Sequence, residues 1–112
     1  MVSKDGSDRM IARIWYGWTT RDNAERYGKL LREEVLLEIA RRSIPGYKGA
    51  ELFCRESGDE TEFITVLRFE TIDAVKIFAG KDYERPVIPP EAKRLLKRHS
   101  ERSLHYQVVP LN

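Results

Sequence analysis

Two histidines, His99 and His105, and one cysteine, Cys54, are the chain's whole stock of imidazole and thiol groups. His99-Ser100-Glu101 has the His-x-Glu spacing of the zinc deaminases. That chemistry also needs a Pro-Cys-x-x-Cys partner, which one cysteine cannot make, so no metal site is expected. His99 is read near the end of the last helix, where an imidazolium suits the negative end of the dipole. His105 is better placed for chemistry. It lies in a strand between Leu104 and Tyr106, and an imidazole facing a pocket there would accept a proton near neutral pH. The plainer reading is a sheet histidine with one satisfied hydrogen bond. An anion formed by such a transfer needs a cation. Arg13 and Arg68 both fall in strands and would hold it if they point inward; otherwise they make surface or inter-subunit salt bridges.

Other chemical signatures are missing from the sequence. It has no nucleophile elbow and no phosphate loop. Gly46-Tyr47-Lys48-Gly49 matches the G-x-x-G of KH domains, but it leads into a strand instead of joining two helices. The third strand lacks the RNA-recognition pattern of the RRM sheet. The charge balance agrees: 20 basic against 18 acidic residues give a net +2, without the basic excess that nucleic acids or membrane surfaces attract. With 112 residues, 41% of them hydrophobic, one domain with a real core is expected. One cysteine makes no internal disulfide, no apolar run approaches ~18 residues, and the polar start does not read as a secretion signal. A cytoplasmic protein is the expectation by elimination. Cys54 alternates with Leu52 and is expected to be a small buried residue.

The elements that must position these groups follow from periodicity. Residues 1–9 read as a flexible leader and 10–112 as a single domain. Strand 10–18 is apolar on both faces and is expected to be central. Thr20 caps a long helix over 21–42, with Ala24, Tyr27, Leu31, Val35 and Ile39 as its inward stripe and Leu30 and Leu36 widening it; its charged remainder reads as a solvated face. Ile44-Pro45-Gly46 stops it. Strands 47–55 and 61–69 form a hairpin around Ser57-Gly58-Asp59-Glu60. At Thr71 the period changes from strand to helix, and Thr71 caps a second helix that ends at Gly80. Residues 81–90 are irregular with three prolines, 91–99 a short last helix, and 103–109 the last strand. The order β-α-β-β-α-β defines a ferredoxin-like α+β plait: a four-stranded antiparallel sheet with helices on one face. The other face needs a cover, and a second copy of the chain, giving a homodimeric α/β barrel, is the simplest one.

Three stretches make the chain similar to a known family: Ile11-Ala12-Arg13-Ile14-Trp15 running into the long helix, Ile44-Pro45-Gly46-Tyr47-Lys48-Gly49, and Phe69-Glu70-Thr71-Ile72-Asp73-Ala74-Val75. In this order they resemble the antibiotic biosynthesis monooxygenase domains. The resemblance implies a dimeric α+β barrel and, in quinone-forming members, oxidation of a phenol by O2 with no bound cofactor. Other members bind and degrade haem. By rough alignment Trp15 stands at the family's strand-one Asn, Phe69 at its strand-three Trp, and Ile88 near the His of the haem-degrading members. On this resemblance Trp15, Phe69, Tyr83 and Ile88 are expected to face a small aromatic ligand. Tyr83 or His105 would then accept the phenol proton, in a pocket between sheet and helices under 81–90. A non-catalytic ligand-binding or structural dimer of the same fold is the alternative.

Overall fold

The structure is a computed structural model that describes residues 10–111; the predicted leader, 1–9, lies outside the described residues. Strand β1 (Ile11–Thr20) is the centre of the sheet. It pairs antiparallel along its whole length with β3 (Glu60–Phe69), from Ile11↔Phe69 to Thr20↔Glu60. β3 forms a hairpin with β2 (Tyr47–Ser57), which is an outer strand. Two short strands share the other edge of β1: β4 (Arg98–His99) against Gly17 and Trp18, and β5 (Leu104–Gln107) against residues 11–14. β5 falls within the expected last strand, 103–109, whereas β4 lies at the expected end of the last helix, so among the described residues the antiparallel sheet has five strands.

Between β1 and β2 runs one long helical stretch. α1 (Arg21–Leu30) starts where Thr20 Oγ1 accepts the Asn23 N–H at 3.3 Å, as its extended backbone and hydroxyl favour. The stretch then opens into a π-turn (Leu31–Val35), where the Leu36 N–H reaches the carbonyl of Leu31 five residues back, before α2 (Leu36–Arg41) closes it. The spacing of apolar residues alone gave no sign of this wide turn. The chain returns to the sheet through Gly46, at φ +85°, where a Cβ would lie 2.8 Å from that of Ala74. Only glycine fits both constraints. α3 (Ile72–Ala79) has the predicted cap: Thr71 Oγ1 accepts the Ala74 N–H at 3.1 Å.

The last helix is shorter than expected. α4 (Pro90–Leu95) begins on a proline, which needs no donor there. It stops because Leu96 turns extended and the edge of β1 captures the next backbone: the Lys97 N–H bonds the Trp18 carbonyl and the Ser100 N–H that of Tyr16. His99 is thus a strand residue and not one at a helix end. Cys54 is exposed, contrary to expectation, because it sits on an outer strand beside an open groove.

Strand alternation sorts the two faces. Ile11, Arg13, Trp15, Gly17 and Thr19 of β1 face the helices, over one cluster around Phe69, Val75 and Ile39 and another around Tyr27, Leu31 and Phe63. Among the described residues, no helix lies over the opposite face. Phe53, Leu104 and Tyr106 there are about half exposed, at 50%, 47% and 52%.

Candidate functional site

Arg13 is the polar centre of the helix-side layer. It is only 4% exposed and sits mid-strand, where alternation aims it under the helices. Its guanidinium is held from one side: Nη1 donates to the Tyr83 carbonyl and to Nε2 of His105 at 3.0 Å, and Nη2 donates to the Arg85 carbonyl at 3.1 Å. None of the ion pairs among the described residues involves Arg13. Burial pulls its pKa down to about 10, which still leaves it charged at neutral pH.

An arginine can only donate, so Nε2 of His105 must be the acceptor and the imidazole neutral, with its proton on Nδ1. The surroundings favour that form. Desolvation lowers the pKa of His105, the Arg13 charge lowers it further, and Glu84 opposes both. The Tyr83 ring meets the imidazole edge-on, with centroids 5.0 Å apart at 77°.

Arg13 also lines a cavity of about 60 Å³. The π-turn supplies Leu31 and Val35 to its wall, α3 supplies Phe78, the proline segment supplies Val87, Ile88 and Pro89, and β1 adds Trp15. Thr65, Ser103 and Tyr27 bring hydroxyl groups. Burial raises the pKa of Tyr27, so its phenol stays protonated. Val35, Ile39, Phe78, Val87 and Pro89 also line an outer groove of about 450 Å³. These side chains form the partition between cavity and groove.

The structure brings together some of the predicted residues and separates others. Arg13, Trp15 and Ile88 line the cavity. His105 and Tyr83 bond the Arg13 guanidinium and are not among the residues that line the cavity. Phe69 is fully buried in the core, packed edge-on against Tyr47 and tilted against Phe78, with no cavity surface. Arg68 lies on the opposite face, paired with Glu51. Phe78 and the π-turn were missed; Phe78 carried a signal, since it follows Val75 by three positions on the helix's inward stripe. His99 packs against Trp15, centroids 5.4 Å apart, and the Trp15 indole donates to the Ser100 carbonyl at 3.1 Å. Among the described residues, no group of three or more His, Cys, Asp or Glu is placed to hold a metal ion, and no helix is long and apolar enough to cross a membrane.

A central β1 under a long helix and a β2–β3 hairpin, with a small cavity between sheet and helices, match the fold of the antibiotic biosynthesis monooxygenase domain proteins. Solved structures show that likeness along nearly the whole chain. A protein from Bacillus cereus, named a "putative" antibiotic biosynthesis monooxygenase, superposes with a TM-score of 0.64 at 11% identity, covering 93% of this chain and 97% of that one. One of the same name from Nitrosomonas europaea gives 0.61 at 14% identity, covering 91% and 92%. The monooxygenase from the gene ActVA-Orf6 of Streptomyces coelicolor, solved with nanaomycin D, gives 0.55 at 14% identity, covering 95% and 92%. No protein-family model and no curated protein matches the sequence.

Proposed function

We propose that this chain is a homodimeric monooxygenase that oxidises an aromatic, quinol-type small molecule with O2 and without a bound cofactor. The observation that carries the reading is Arg13: a buried cation with no carboxylate partner among the described residues, set in the wall of a mostly apolar and aromatic cavity that carries no other charge. Such a wall suits a planar ring, and the guanidinium suits a ring oxygen that becomes negative.

The ligand hydroxyl meets Arg13 from the cavity and takes over an N–H now given to His105. Its proton passes to the freed Nε2, and its oxygen stays on the guanidinium as an anion. Tyr83 acts through its ring and carbonyl, which keep the imidazole and the guanidinium in place. The electron-rich anion then reduces O2. One oxygen atom bonds to the ring carbon opposite the hydroxyl, and the other leaves as water with the two hydrogens lost from the substrate. The product is a quinone, and all the electrons come from the substrate.

The open sheet face supplies the dimer surface. Ile14, Ile64 and Val66 share it with Phe53, Leu104 and Tyr106, and the pairs Arg68–Glu51, Arg55–Glu62 and Arg98–Glu60 neutralise its rim. A patch of that kind is self-complementary under a two-fold axis.

Oxygen uptake with 1-naphthol and with anthrone tests the enzyme reading. Uptake above the buffer rate, reduced by His105→Ala, is expected. If both compounds bind and neither drives uptake above buffer, the protein is a ligand-binding dimer instead.

A further inference from the structure

The donors that Arg13 has left define its ligand more narrowly. A guanidinium carries five N–H groups. Nη1 gives one to the Tyr83 carbonyl and one to His105, and Nη2 gives one to the Arg85 carbonyl. The Nε–H and the second hydrogen on Nη2 have no partner among the described residues. They come from adjacent nitrogens along one guanidinium edge, the arrangement that two oxygens of one carboxylate match. The rest of the cavity wall carries no charged side chain. A neutral ring would leave the cation uncompensated in a buried site, whereas a carboxylate would neutralise it and fill both donors.

We infer that the site takes a hydroxylated aromatic carboxylate, with the carboxylate on the Nε–Nη2 edge of Arg13 and the ring hydroxyl directed at Nη1 beside His105. This rests on the ligand placement proposed above and is independent of whether O2 is consumed. The outer groove does not make the selection, since Glu34, Glu38 and Glu91 stand there with Arg42 and Arg94. Nor does the cavity admit a ring as it stands: about 60 Å³ is well short of the roughly 150 Å³ that holds benzene in a protein interior. The Phe78 ring lies between the guanidinium carbons of Arg13 inside, 5.4 Å from its centroid, and Arg42 outside, 5.8 Å away. Turning that ring aside joins cavity and groove, so the ligand head sits on Arg13 and the remainder extends outward.

Titration calorimetry on the full chain tests the inference with salicylate and 1-hydroxy-2-naphthoate, each compared with its amide, which has the same shape without the charge. Each acid is expected to bind at least tenfold more tightly than its amide, about 1.4 kcal/mol, and Arg13→Met should remove the difference. Equal affinity for acid and amide overturns the inference. So does an acid preference that survives Arg13→Met, or no binding of either acid at millimolar concentration. Tight acid binding with no oxygen uptake would retain this inference and remove the oxygenation. The wild-type comparison alone decides the matter should the variant not fold.

Discussion

Arg13→Met tests whether Arg13 is kept for a ligand or for the fold, because the two roles predict opposite effects on stability. A buried arginine that anchors a fold is usually paired, and deleting it strands a charge at a cost of about 3–5 kcal/mol. Among the described residues Arg13 has no paired charge to strand. The fall of its pKa from the ordinary guanidinium value to about 10 means that the folded state loses about 3 kcal/mol by keeping the group protonated at neutral pH, at about 1.36 kcal/mol per pKa unit. The sign follows from linkage: a base whose pKa is lower when folded binds protons more weakly there, so the charged form opposes folding below that pKa. Against this, Met leaves three acceptors without the donor: the carbonyls of Tyr83 and Arg85 and Nε2 of His105. All three residues are partly or fully exposed, so water replaces much of the loss, and roughly 1–2 kcal/mol in total is expected. The balance is about 1–2 kcal/mol stabilising, with Met filling a similar volume. Thermal unfolding followed by circular dichroism should show a midpoint raised by several degrees, at roughly 4–8 °C per kcal/mol for a small domain. A midpoint lowered by about 10 °C or more would refute the reasoning and make Arg13 a structural anchor.

Phe69→Ala should lower stability by about 3–5 kcal/mol, read as a fall in the denaturation midpoint, because the side chain is fully buried in the core; ligand affinity should fall only in step with the unfolded fraction. His105 has a lowered pKa in the fold, so its contribution is complete above its ordinary value of 6.5 and declines as the pH falls below it. His105→Gln, which keeps an acceptor for Arg13, should flatten the stability profile between pH 6.5 and 5, and an unchanged slope would exonerate the imidazole. Phe78→Ala should raise the association rate of 1-hydroxy-2-naphthoate at least tenfold in stopped-flow fluorescence if its ring is the partition; an unchanged rate would place the entrance elsewhere. Leu104→Arg, which puts a charge on the open face, should halve the mass seen by sedimentation equilibrium if that face joins two copies.

Local rules made most of the architecture legible. The threonines at 20 and 71 announced both helix starts because an N-cap depends only on a hydroxyl and the three residues after it. The alternation Ile11, Arg13, Trp15 put one arginine and one tryptophan on a common face, although nothing in the pattern said which face the helices would cover. The errors came from distant partners. Residues 96–99 read as helix until the edge of β1, some eighty residues earlier in the chain, is there to pair with them. Phe69 looked like a pocket residue from its alignment position, and the difference arises because Phe78 stands between it and the cavity. Cys54 was misplaced because alternation gives a face, while only the strand order reveals that the strand is an outer one. Arg13 and Arg68 were indistinguishable in sequence, both being basic residues within strands, and their opposite environments follow from the register of β1 against β3.

The π-turn also ties the helix to its length. A turn closed five residues back holds one residue more than an α-turn, so removing any one residue from Leu31–Val35 would let the backbone relax into a regular helix with every hydrogen bond intact. Tyr27 and Ile39 both face the core, although a regular α-helix at about 100° per residue would set residues at this spacing about 120° apart. The wide turn absorbs one such step. Straightening it with the residue kept would swing Ile39 off the core while Tyr27 stayed on it, and the partition beside Phe78 would lose its α2 side, so the residue that appears surplus is what the wide turn accommodates to keep the two halves of the cavity wall in phase.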